Sequence, residues 1–397
     1  MSAPPRAGDL AVYVHFPWCL AKCPYCDFLS VAADRADIPH QAYASAVIAE
    51  LERRVEVLGQ RRLGSVFFGG GTPSLWQPSA LGRVLAAIRA RFEVAPDLEV
   101  TVECNPTSLD DGRAAALRDA GATRLSVGVQ GLDADRLKFL GRLHDPQGGL
   151  SAVRAAVRSG PERVSADLIF GVPGQSPRQA QDEAATIADL GVTHLSAYAL
   201  TIEPGTQFGQ LARKGRLPLA TDDAVADGYL GVEEALRERG FRHYEISNYA
   251  RDGHVARHNV GVWRGGEYLG LGVGAWGTVV LDGARLRYRN GVVPERYLAA
   301  EAWTRVDPWR QHELVRELEP IPAETALSER ILLGLRLAEG VDVEAQASAL
   351  GVNPWPAERQ SARDDLLRRG QLGRVGSGYA IPSEHWLHAD AIIARLM

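Results

Sequence analysis

The chain has 397 residues, 46% of them hydrophobic and 23% charged, enough apolar sequence for a large buried core in one sizeable unit plus a smaller one. A formal net charge of −5 excludes a broad basic field, so direct nucleic-acid binding is not expected. No apolar run nears the roughly 20 residues that span a bilayer, and the start, MSAPPRAGDLAVYVHF, lacks the apolar segment of a secretory signal; a cytoplasmic protein is expected.

Short β-branched and aromatic runs alternate with helix-period stretches, the pattern of βα units around a parallel sheet. The first strand, AVYVHF (11–16), runs directly into CLAKCPYC (19–26), which holds three of the four cysteines. A helical stretch (40–58) leads to SVFFGG (65–70), whose end overlaps GGGTPS (69–74). Then come a helix (78–92), LEVTVEC (98–104), a helix (108–120), RLSVGVQ (124–130), a helix (146–159), RVSADLIFGV (163–172), a helix (178–190) and HLSAYALT (194–201). Six successive units predict an α/β fold, an incomplete (β/α)6 barrel over 8–220. From 221 to 318 the rhythm changes to a helix (222–239), HYEISNYA and a glycine- and aromatic-rich stretch (261–277), read as an accessory segment of strands and loops beside the barrel. From 319 to 397, AETALSERILLGLRLAEG, a second helix pair and a hairpin-like GRVGSGYAI predict a small winged-helix-like domain.

Cys19, Cys23 and Cys26 are spaced as Cys-x3-Cys-x2-Cys, and three is an awkward number. A disulfide framework wants an even count and a structural zinc site four ligands. Three thiolates can instead hold three corners of a [4Fe–4S] cluster, leaving one iron open to a chelating molecule; zinc held by the three cysteines and His15 is the alternative. In a β/α barrel, catalytic groups gather at the C-terminal strand ends, where this loop lies. GGGTPS at the second strand end offers backbone for close approach to a ligand. Glu103, Gln130, Arg142 and Asp167 add polar groups at successive strand ends. Cys104 should face the opposite side of its strand from Glu103 and is read as core.

The cysteine motif, with an aromatic residue before its last cysteine, resembles that of the radical S-adenosylmethionine (SAM) superfamily. VYVHFPWCLAKCPYCDF, FFGGGTPSL, VECNP, RLSVGVQ, DLIFGVPGQ, LTIEPGT and YEISNYA extend the resemblance to its coproporphyrinogen-oxidase-like branch, which holds oxygen-independent coproporphyrinogen III dehydrogenases and HemW-type haem chaperones. The resemblance implies a [4Fe–4S] cluster on Cys19, Cys23 and Cys26, and SAM bound by Tyr13, Gly70, Gly71, Thr72 and Glu103, with Gln130, Arg142 and Asp167 at the cofactor rim. RHNVGVW (257–263) resembles the His-Asn-x-x-Tyr-Trp haem motif of the chaperones, with Val262 in place of Tyr and His258 as the implied haem-binding residue; Trp276 stands where many relatives have His. With Met only at positions 1 and 397, an axial ligand must come from His, Cys or Tyr. The dehydrogenases carry a further cysteine two residues after the triplet, where this chain has Phe28, and a long N-terminal extension. The resemblance therefore implies a chaperone that delivers haem to membrane or respiratory proteins, with the dehydrogenase as the alternative. Its partners would be haem and haem-accepting proteins, with membranes reached through those partners; a dimer is left open.

Overall fold

The computed structural model describes residues 9–299, 303 and 305–397. Residue 8, the expected start of the barrel unit, and the first eight residues of the stretch read for a signal lie outside the described residues. At the centre are six parallel strands: β1 (Leu10–Phe16), β2 (Arg62–Gly70), β3 (Glu93–Cys104), β4 (Arg124–Gln130), β5 (Arg163–Phe170) and β6 (His194–Ala199). Each pairs with the next in chain order. Strands covered on both faces read as near-continuous apolar runs, and LAVYVHF is buried along almost its whole length.

The crossovers are α1 (His40–Leu58), α2 (Pro78–Arg91), α3 (Asp111–Asp119), α4 (Pro146–Ser159) and α5 (Pro177–Ala188). Local chemistry sets their starts. Asp110 and Asp145 accept hydrogen bonds from backbone N–H groups of the first turns of α3 and α4, and Ser176 with Gln179 forms a reciprocal capping box on α5. Apolar stripes such as Leu81, Val84, Leu85 and Ile88 on α2 then seat the helices on the sheet.

The accessory segment is not merely laid beside this unit but hydrogen-bonded into both of its edges. After α6 (Asp222–Glu238), strands β7 (Arg242–Glu245) and β8 (Asn248–Ala250) extend the β6 edge through an antiparallel β8–β6 pairing. After α7 (Arg257–Trp263), β9 (Tyr268–Leu271) runs parallel to β1, and β10 (Trp276–Leu281), β11 (Ala284–Asn290) and β12 (Val315–Pro320) continue outward antiparallel. The result is one twelve-stranded sheet in the order β12-β11-β10-β9-β1-β2-β3-β4-β5-β6-β8-β7. It stays open, because β9 and β8 occupy the two edges that would have to meet for a barrel to close.

The C-terminal elements are α8 (Ala323–Gly334), α9 (Val343–Leu350), α10 (Ala357–Arg368) and a hairpin of β13 (Gly373–Val375) and β14 (Gly378–Ala380). Leu366, Tyr379 and Ile392 belong to the same continuous apolar core as β1 and β2. Among the described residues no helix is long and apolar enough to cross a membrane.

Candidate functional site

The cysteine loop is fastened at both ends by the elements it joins. As the chain leaves β1, the Gly71 N–H donates to the Phe16 carbonyl at 2.7 Å and the Thr72 N–H to the Trp18 carbonyl at 2.8 Å. A Cβ at Gly71 would lie 2.7 Å from the Trp18 oxygen, so glycine there serves the chain's own crossing. At the far end the His15 Nε2–H donates to the Leu29 carbonyl at 2.8 Å, while Nδ1 accepts from the Tyr13 hydroxyl at 3.0 Å. Burial pulls the His15 pKa down to about 4, so the ring is neutral and keeps both bonds. Midway, the Pro24 carbonyl accepts from the Phe208 N–H at 2.9 Å. Tyr25 packs there against a small cluster of Leu140, Ile169, Val172 and Phe208.

The three cysteines face a cavity of about 480 Å³, within the range of small-molecule sites. Gly70, Gly71 and Thr72 from the β2 end line it, as do Glu103, Gln130, Arg142 and Asp167. Glu103 accepts from the Gly70 N–H at 3.1 Å, and Asp167 accepts from the Ser126 hydroxyl at 3.2 Å. Gln130 holds a left-handed φ of 68°, a costly conformation for a residue with a Cβ. Arg142 donates to the Gly128 carbonyl at 2.8 Å and brings its other terminal nitrogen to 3.6 Å from Cys23 Sγ. Its Nε is buried without a hydrogen-bond partner.

Burial pushes Glu103 up from 4.5 to about 8, the Asp167 carboxylate adding to the effect and the Gly70 N–H opposing it. Between those two values the folded chain keeps a proton that the unfolded chain releases. Its contribution to stability is therefore fully present below pH 4.5 and is lost as the pH rises through about 8. A bound cation beside Glu103 would favour its charged form and reverse that loss. Burial likewise raises the Cys19 thiol, and the Cys26 thiol to about 11, so metal binding here must displace protons.

Two of the predicted residues stand apart from the cavity lining. Tyr13 lies behind it, ring stacked on Phe67 at 6.1 Å and hydroxyl committed to His15. His258, on α7, is buried, with Nδ1 3.0 Å from the Ser65 hydroxyl, ring 5.0 Å from that of Phe67 and backbone N–H on Glu99. Burial pulls its pKa down to about 3. Ser65 sits five positions before the strand end at Gly70, so α7 seats His258 deep in the fold, while its neighbour Asn259 reaches the cavity.

The cavity walls also include Thr101, Arg124, Ser126, Ser165, His194, Ser196 and Tyr198. Their signal was in the sequence: Ser126, Ser165 with Asp167, and Ser196 are polar residues at alternate positions of otherwise apolar strands, which marks a polar inner face. Thr101 Oγ1 is buried there without a partner.

The donor set suits a cluster better than a single ion. His15 has both ring nitrogens engaged, which removes the fourth ligand of the zinc alternative. Among the described residues no three His, Cys, Asp or Glu side chains converge as one metal ion requires. Three thiols lining one cavity, two of them facing the donors Thr72 and Arg142, suit a [4Fe–4S] cube that leaves one iron open.

Comparisons with known proteins agree. The family model described as "Radical SAM superfamily" matches residues 13–187. The "Heme chaperone HemW" of Escherichia coli is 38% identical over 302 residues, covering 75% of this chain and 79% of the relative. The protein of the same name from Mycobacterium tuberculosis is 34% identical over 396 residues, 100% of this chain and 96% of the relative. A zebrafish protein, "Radical S-adenosyl methionine domain-containing protein 1, mitochondrial", is 36% identical over 341 residues, 85% and 75% of the two chains. The structure of coproporphyrinogen III oxidase (HemN) from E. coli superposes with a TM-score of 0.79 at 19% identity, covering 98% of this chain and 90% of that one, a likeness of fold. With the cysteine loop, the glycine turn and the open α/β sheet all in place, the chain belongs to the HemW family of the radical SAM superfamily.

Proposed function

We propose that the protein is a haem chaperone: it binds haem, carries a [4Fe–4S] cluster on Cys19, Cys23 and Cys26 with SAM in the adjoining cavity, and passes haem to acceptor proteins of membranes or the respiratory apparatus. The observation that carries this is the reach of the similarity, 34% identity over 396 residues to a protein named as a haem chaperone, C-terminal elements included. When bound, cluster and SAM together supply one-electron chemistry. The chain's own residues hold and orient them: Gly70 and Glu103 at the SAM amino group, Gln130, Arg142 and Asp167 around the rest. Protein partners, rather than nucleic acid, accord with the net charge of −5, and the location proposed is cytoplasmic.

Hemin titrated into the anaerobically reconstituted protein should give a saturable Soret band, and the same preparation should not convert coproporphyrinogen III. His258→Ala should remove or shift that band while leaving the iron content unchanged. Ligation by His258 requires α7 to leave its seat, releasing the ring from Ser65 and Phe67. A variant with the parent's spectrum and affinity would place the ligand elsewhere. A parent that binds no haem, or that turns over the porphyrinogen, would overturn the chaperone assignment.

A further inference from the structure

Among the side chains at the cavity rim that reach the cysteines, Tyr25 beside Cys23 included, two bring a donor to a cysteine sulfur at a defined distance. The Thr72 hydroxyl lies 3.4 Å from Cys19 Sγ, placed by the backbone ladder that ties Thr72 to Trp18. The Arg142 guanidinium is anchored on the Gly128 carbonyl at 2.8 Å and presents its other terminal nitrogen to Cys23 Sγ at 3.6 Å. That loop is held close, since a Cβ at Gly141 would lie 2.5 Å from Pro24 Cδ, beside Cys23. The cation next to Cys23 in the chain differs in kind: Lys22 is exposed, its amine on the Phe28 carbonyl at 3.2 Å, so water screens its charge.

We propose that Arg142, assisted by Thr72, sets the reduction potential of the cluster through hydrogen bonds to two of its three thiolates. The proposal rests on the cluster assigned above. Reduction adds an electron to a group already carrying negative thiolates. A donor on a thiolate sulfur draws density off the cluster and favours its reduced form, and hydrogen bonds to sulfur are among the factors that set cluster potentials. A cation acting through a poorly solvated medium has the larger effect, because its field is weakly screened. Arg142 therefore dominates and Thr72 adds a smaller contribution. The same guanidinium lines the cavity with an unpartnered Nε, so one side chain faces both the cluster ligand and whatever the cavity holds.

The test is a redox titration of anaerobically reconstituted parent, Arg142→Met, Arg142→Lys, Thr72→Val and Lys22→Met. Reduction is followed by electron paramagnetic resonance without SAM, after iron and sulfide have been counted. Arg142→Met should lower the potential by about one decade in the oxidised-to-reduced ratio, or about 59 mV for one electron. Arg142→Lys, which keeps the charge, should recover part of the difference; Thr72→Val should show a smaller drop and Lys22→Met none. A fully loaded Arg142→Met at the parent's potential, or an equal drop in Lys22→Met, overturns the proposal. Should Arg142→Met fail to load, Arg142→Lys and Thr72→Val both at the parent's potential do the same. A parent without four irons sinks the cofactor assignment, and the proposal with it; a loaded parent with unmoved variants sinks the proposal alone.

Discussion

Replacing Cys19, Cys23 and Cys26 together with Ala should abolish [4Fe–4S] binding, reducing reconstituted iron from about four per chain to none. Cys104→Ser should load like the parent. The contrast follows from placement. The triplet lies on one loop, part-buried, around the cavity mouth. Cys104 is 5% exposed at the end of β3, its thiol 3.5 Å from the Val102 carbonyl of its own strand and its ionisation suppressed by burial. Cys104 also borders the cavity, but it stands on a strand rather than on the loop and is far more enclosed than the triplet, and a ligating cysteine needs access. The fold of the triple variant should persist, because the loop is fastened through His15, Gly71 and Leu29 rather than through sulfur. Iron and sulfide analysis with a far-ultraviolet spectrum checks both halves; four irons retained by the triple variant would refute the ligand assignment.

Arg54→Met should lower stability by about 3–5 kcal/mol, the usual consequence of removing one partner from a buried ion pair. Arg54 and Glu50 are both 0% exposed and paired at 2.7 Å on α1. The guanidinium also donates to Asn290 at 2.7 Å and to the Pro308 carbonyl at 3.0 Å, and sits 3.9 Å from the centre of the Tyr288 ring. Glu50 accepts from Asn290, Tyr297 and the Gly272 N–H. One pair thus pins the first helix of the central unit to the strands added at the β1 edge. The 272–275 turn that Glu50 holds also braces the cysteine loop: a Cβ at Gly274 would lie 2.2 Å from Leu29 Cδ2, and Tyr43 bridges the His15 carbonyl and the Val273 N–H. Urea unfolding of the cluster-free chain measures the loss. Glu50→Gln combined with Arg54→Met should cost less than the two single changes added, since no lone charge then stays buried. Strict additivity, or a loss under 1 kcal/mol, would contradict a coupled buried network.

The central unit was legible because its signals are local. Period-two and period-3.6 patterns located all six parallel strands and their five crossover helices. The joining of β9 to β1 was not legible, since Ala11 meets Tyr268 across more than 250 residues and nothing in YLGL names its partner. The Glu50–Arg54 pair was hidden for a related reason. In ELERR an i,i+4 pair looks like surface decoration, as Arg53 and Glu56 are. The same limit applied at the site. Strand-end residues such as Glu103 and Gln130 could be picked out by their polarity, but Tyr13 and His258 were chosen by motif, and a motif does not say which side of a strand or which seat of a helix a side chain occupies.

Calorimetric titration of SAM into cluster-loaded parent and Glu103→Gln asks whether this cavity is the SAM site. Glu103 is the carboxylate facing the Gly70 turn, and a charged hydrogen bond from a ligand amino group contributes about 1.5–3 kcal/mol. The variant should therefore bind SAM at least about tenfold more weakly. Cluster-free, it should lose the part of the decline in stability that Glu103 contributes as the pH rises from 4.5 towards about 8, because the amide put in its place does not ionise. Undiminished SAM affinity in a Glu103→Gln protein holding its full cluster would contradict the assignment of this cavity to SAM.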